Sequence, residues 1–204
     1  MKLLCLSVLL FVMHFASAQI KAVHLHEKDI TKNMPYKGRF TDALQYTDKE
    51  GTHVVIMTEE VTDDKDNEDM RRASIYAFSY LENGSSATLQ WKMYDFTDLC
   101  DVDLEATYKD NPYVTDLDKN GVAEVWLTYI EACKGDVSPS EMKVIMHEGA
   151  SKFAMRGTTR VNIGGGKYMG GSYTFDAAFK AAPQSFRDYA TQLWKKNVKE
   201  DHFY

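Results

Sequence analysis

Residues 114–130 read VTDLDKNGVAEVWLTYI, an acidic turn that runs straight into an apolar stretch. Asp116, Asp118, Asn120 and Glu124 stand at positions 1, 3, 5 and 9 of a D-x-D-x-N-G-x-x-E pattern, with Gly121 at position 6. Oxygen side chains at that spacing suit a hard cation such as Ca²⁺, which takes about six to eight oxygens in a forgiving geometry. Val122 would add its backbone carbonyl, and Glu124 would close the shell directly or through water. Gly121 permits the positive φ that a sharp turn around an ion requires. An EF-hand is excluded on two counts. Its position 12 needs an acid, and that position is Leu127. It also needs a following helix, whereas the run Val122 to Ile130 is β-branched and aromatic and predicts a strand. The competing reading is a bare acidic β-turn, because Asn-Gly is itself a hairpin signal. The wider spacing favours the ion, a structural Ca²⁺.

Outward from this turn, the sequence repeats at an offset of 70 residues: Asp48-Lys49-Glu50-Gly51 parallels Asp118-Lys119-Asn120-Gly121. Val55 and Thr58 match Val125 and Thr128, and Ile75 matches Ile145. Each unit reads acidic turn, strand, polar loop, strand, turn, strand. The second turn is Glu82-Asn83-Gly84 in one unit and His147-Glu148-Gly149 in the other. The first unit lacks the cation pattern: Tyr46 stands for Asp116, Glu50 for Asn120 and Val54 for Glu124. One calcium loop is therefore expected, not two.

Strands are predicted over 37–46, 52–60, 73–82, 86–95, 101–108, 122–131, 142–148 and 151–162. In ATLQWKMYDF (87–96), alternation puts Leu89, Trp91 and Met93 on the core face. Trp126 lies in a continuously apolar strand, so core packing is favoured over a sugar platform. Residues 164–171, GGGKYMGG, read as flexible loop. Their Gly-Lys pair is followed by Tyr168 rather than Ser or Thr, so no phosphate loop is present. A helix is predicted over about 183–199, with Pro183 at its first position. Phe186, Tyr189, Ala190, Leu193 and Trp194 fall on one face, to pack on the sheet. The fold class is mostly β: an antiparallel sheet of propeller-blade-like repeats with a C-terminal α-helix. Two units cannot close a propeller, so an open or partial propeller, or a sandwich, is expected.

The stretch VTDLDKNGVAEVWLTY resembles the Asp-rich repeat of FG-GAP/VCBS-type β-propeller blades, where an acidic loop enters a hydrophobic strand. The run from Cys133, CKGDVSPSEMKVIMHEGASKFAMRGTT, resembles an uncharacterised secreted family from Bacteroidota, loosely labelled surface polysaccharide biosynthesis protein. The likeness is good over about 95–160 and loose elsewhere. It implies an exported, calcium-dependent β protein and no established reaction.

Residues 1–18 read as a secretory signal: Lys2, an apolar run from Leu3 to Phe15, then Ala16-Ser17-Ala18 as an A-x-A cleavage site. What remains, 19–204, is read as a single β-rich domain, secreted or held in the periplasm or cell envelope. It has no further apolar segment long enough to span a membrane. The whole chain carries 24 Lys+Arg against 30 Asp+Glu, a net charge of −6, which argues against nucleic acid and anionic lipid as partners. Two cysteines lie outside the leader, Cys100 and Cys133. Export and an even count predict a disulfide between them, enclosing the acidic loop.

Other constellations are weaker. Residues 63–69, DDKDNED, lack an anchoring glycine and read as a solvated hairpin loop. Asp101, Asp103 and Glu105 share one strand face, and Asp101 or Asp103 completes the ion shell if that strand pairs beside the loop. His24-x-His26 lacks a third zinc ligand. No G-x-S-x-G or H-E-x-x-H occurs, and no carboxylate pair can be singled out, so no catalytic residue is assigned. The reading is a non-catalytic binding or structural module that contacts a cell-surface glycan or protein. The alternative, an enzyme acting on cell-surface polysaccharide, rests on the family label.

Overall fold

The structure, a computed structural model, describes residues 20–200; the predicted leader and its cleavage site lie outside them. The chain is mostly antiparallel β-sheet in open sheets, with helix near its C-terminus. β1 (Ala22–Leu25), β2 (Arg39–Asp48), β3 (Gly51–Asp63), β4 (Arg71–Asn83) and β5 (Ser86–Cys100) form a five-stranded sheet in chain order. The second sheet takes β6 (Asp103–Tyr108), β7 (Tyr113–Thr115), β8 (Glu124–Lys134), β9 (Glu141–Glu148), β10 (Ser151–Thr158) and β13 (Tyr173–Phe175). Both β6 and β7 pair with β8, at its two ends. Each sheet thus contains the same run: strand, acidic turn, strand, loop, strand, tight turn, strand.

Strict alternation on the central strands sorts the core into layers. On β3, Val55 and Met57 face the second sheet, while Val54 and Ile56 face outward. On β8, Val125, Leu127 and Tyr129 face the first sheet, while Trp126 and Ile130 face the helices. Met57, Ile75, Ala77 and Met93 meet Leu127, Tyr129 and Ile145 between the sheets. Part of the outer face of the first sheet, around Val54, Ile56 and Tyr80, is covered by the segment around Ile30, Met34 and Tyr36. The arrangement is therefore an open, sandwich-like stack. The Cys100–Cys133 disulfide, with Cα atoms 5.7 Å apart, ties the end of β5 to β8 and so links the two sheets.

Helix α1 (Ala177–Ala181) is capped by Asp176, whose side chain accepts from the Phe179 N–H. Helix α2 (Gln184–Asn197) follows, shorter than the predicted 183–199, and Pro183 is its N-cap rather than its first turn. Its predicted apolar face packs on Trp126, Met142, Val144 and Met146 of the second sheet, and Trp126 is fully buried. After α2 the chain turns into β14 (Lys199–Glu200), parallel to β11 (Arg160–Asn162). β12 (Tyr168–Gly170) pairs with β11, so part of the glycine-rich stretch read as loop is a hairpin arm.

One facing was wrong. Leu89 is 48% exposed, not core. Trp91 pairs with Ser79 and Leu89 with Tyr80, so Gln90 is an extra residue, a β-bulge that turns Leu89 to the outer face. Residues 64–70 link β3 to β4 as an exposed acidic loop, as expected. Among the described residues no helix is long and apolar enough to cross a membrane.

Candidate metal centre

The 116–124 turn joins β7 to β8. Asp116, Asp118 and Glu124 converge, each placing a carboxylate oxygen within 4.8 Å of the others. The turn is built as the sequence implied. Gly121 sits at φ +82°, and Lys119 is the one non-glycine residue with positive φ among the described residues, at 62°. The Asp118 carboxylate accepts from the Asn120 N–H (3.1 Å), and Asp116 Oδ2 accepts from the Gly121 N–H (3.2 Å).

Glu124 is the buried anchor of the cluster. Its carboxylate accepts from the Thr115 hydroxyl (2.6 Å) and the Leu117 N–H (2.9 Å). Thr115 in turn accepts from the indole N–H of Trp126 (2.7 Å), which ties the site to the core. Burial raises the Glu124 pKa from its ordinary value, against the hydrogen bonds from Thr115 and Leu117. Asp116 Oδ1 is buried and has no hydrogen-bond partner. A buried carboxylate oxygen left unpaired is costly, and a cation is the partner that satisfies it. The residues therefore fit a hard cation.

Asn120 and Val122 lie in the same turn. Asn120 Oδ1 accepts from the Val122 N–H (2.7 Å), and an amide oxygen keeps a second lone pair after that bond. Its amide nitrogen donates to Asp118 Oδ2 (2.9 Å) and to Glu148 Oε1 (2.5 Å). Val122 is buried in the seam below.

Glu148 was missed by sequence reasoning. It lies at the end of β9, directly opposite Glu124 in the β8–β9 register, so both side chains leave the same face. Burial, then the charges of Asp118 and Asp116, raise its pKa. Only strand pairing brings it there; its place in an H-E-G turn carried no ligand signal. Asp103, by contrast, pairs with Lys134, at the other end of β8 from Glu124, so the acidic strand does not complete the ion shell. At about 3.4 Å per residue, the ten steps between put it roughly 30 Å away.

The two repeat turns interlock. The Lys49 N–H donates to the Gly121 carbonyl (2.9 Å), and Lys49 Nζ donates to the Asn120 carbonyl (2.9 Å). Asp48 Oδ2 accepts from the Ala123 N–H (3.0 Å). The first copy is not stripped of ligand groups as its comparison with the second implied: Asp48, Glu50 and His53 also gather within 4.8 Å. His53 has no counterpart ligand in the calcium pattern, so aligning the two turns could not find it.

No family model, no curated protein and no solved structure matches this chain.

Proposed function

We propose that this chain is an exported β module, stabilised by calcium, with a binding or structural role at the cell envelope or outside the cell rather than a catalytic one. The carrying observation is the meeting of Asp116, Asp118 and Glu124 around an unpartnered Asp116 oxygen, with Glu148 opposite. The Cys100–Cys133 bridge supports an oxidising compartment. A contact surface is offered by the outer face of the first sheet. There Tyr76 and Tyr94 stack at 5.0 Å, Tyr94 and Phe96 at 5.4 Å, and Tyr94 and Phe96 are 44% and 38% exposed. This exposed aromatic cluster suits an apolar patch on a glycan or protein partner. Glycan-array binding with and without Ca²⁺ tests this reading. Binding that calcium supports and Tyr94→Ala abolishes is expected; an array blank under both conditions counts against a glycan partner.

The second reading, an enzyme acting on polysaccharide, draws on a different cleft. A cavity of about 370 Å³ is lined by Phe96, Asp98, Glu131 and Glu141. Burial, opposed by the Lys143 ammonium, raises Glu131 above its ordinary value, the direction a general acid needs. Release of reducing ends from envelope polysaccharide, lost in Glu131→Gln, would favour this reading.

A further inference from the structure

We propose that the seam between the two repeats is a second metal site, distinct from the calcium loop, in which Asp48, Glu50, His53 and His147 take a borderline transition ion such as Zn²⁺.

Three of these groups come from one turn and the strand that leaves it. Asp48, Glu50 and His53 each place a ligand atom within 4.8 Å of the others. The turn orients Asp48 firmly: Oδ1 accepts from the Glu50 N–H (2.8 Å), the Gly51 N–H (3.3 Å) and His53 Nε2 (3.2 Å). Oδ2 accepts one bond, from the Ala123 N–H of the other repeat, and keeps a lone pair. Backbone donors that fix a carboxylate in this way are the usual outer support of a metal ligand. Tyr46 stacks on His53 at 4.9 Å and sets its ring plane.

The fourth group is the independent sign of a missing partner. His147 is 4% exposed, and neither ring nitrogen has a hydrogen-bond partner. It lines the same small cavity as Asp48, Glu50 and His53. It comes from the second sheet, with its ring held flat against Trp91 at 4.0 Å and 10°. An imidazole carries one donor and one acceptor, and leaving both unmet in the interior costs free energy. His147 lies outside the 4.8 Å group of Asp48, Glu50 and His53, so its ring would shift toward an ion held there to meet one of them. The cavity is about 10 Å³, room for one ion or one water and for no organic ligand. Glu50 is exposed, which leaves a way in from solvent.

The donor set decides the class of ion. Two imidazoles with two carboxylates suit Zn²⁺ and its neighbours, whereas calcium prefers oxygen throughout. The two repeat turns would thus have diverged to different metals, one all-oxygen and one mixed.

The test uses the disulfide-bonded chain in saturating Ca²⁺, titrated with Zn²⁺ by calorimetry and with Co²⁺ by visible absorption. One saturable Zn²⁺ per chain is expected, with Co²⁺ bands of a low-coordinate nitrogen–oxygen site. His147→Ala should weaken Zn²⁺ at least about tenfold. Glu50→Gln should do the same, and because Glu50 is exposed this variant keeps the inference testable if His147→Ala misfolds. Asp118→Ala should leave Zn²⁺ affinity unchanged while changing the calcium response. Absence of saturable Zn²⁺ uptake, meaning a water fills the cavity, would overturn the inference, as would Zn²⁺ binding indifferent to both His147→Ala and Glu50→Gln.

Discussion

Asp118→Asn should move the melting temperature in opposite directions with and without calcium. Asp116, Asp118 and Glu124 sit within 4.8 Å of one another, so three like-charge pairs form when no ion is bound. At that separation a pair costs about 0.9 kcal/mol in a water-like dielectric and about 3.5 kcal/mol at an effective constant of about 20. Asp118 is exposed, so the lower figure applies. The substitution removes the two of these pairs that include Asp118, a relief of roughly 2 kcal/mol, and also the repulsion between Asp118 and Glu148. It keeps the turn bond to the Asn120 N–H and gives up the bond from Asn120 Nδ2, worth about 0.5–1 kcal/mol. The net gain in chelator is about 1 kcal/mol, or roughly 2–4 °C for a chain of this size. Calcium at a hundredfold excess over Kd stabilises the unaltered protein by about 2.7 kcal/mol, roughly 5–11 °C, and the variant should lose most of that. Differential scanning fluorimetry in EDTA and in Ca²⁺ reads both arms. The curves should cross, and the gain in EDTA should shrink in high salt as exposed charges are screened. A variant that melts lower in EDTA, or that keeps the full calcium response, would refute the charge argument.

Two further outcomes are expected. Cys133→Ser should cost about 4 kcal/mol in a urea titration, since the bridge spans 33 residues of sequence; two free thiols titrated in the exported, unfolded protein would contradict the bridge. Burial alone would raise Glu200, but Lys134, Thr159 and the Ser140 N–H together hold it down to about 2. A depressed carboxylate adds stability that is present above its unfolded value near 4.5 and lost as pH falls toward 2, so Glu200→Gln should flatten the acid limb of the stability profile in that window, and an unchanged limb would count against the pairing.

Local chemistry made much of the fold legible. Val54 to Met57 and Val125 to Tyr129 alternate cleanly because each strand is buried on both faces by different layers. The acidic turn was legible because its oxygen side chains lie within nine residues, and the cysteines because only two lie beyond residue 18. What failed depends on register. The extra residue at Gln90 reverses the facing of Leu89, and nothing in ATLQW marks it. Asp103 looked close to the loop but pairs at the far end of β8. Glu148 and His147 reach their places only through the β8–β9 pairing, which sends one to the acidic turn and its neighbour to the opposite face. Side chains that alternate by one residue can serve two different sites, and sequence spacing alone does not separate them.

The most direct test is calcium content. Protein dialysed against micromolar Ca²⁺ and assayed by atomic emission should retain one ion per chain. Asp118→Ala should lose it, and Asp66→Ala, in the exposed acidic loop between β3 and β4, should keep it. Wild-type protein that retains no calcium, or an Asp118→Ala variant that retains as much as wild type, would contradict the account and leave only an acidic turn.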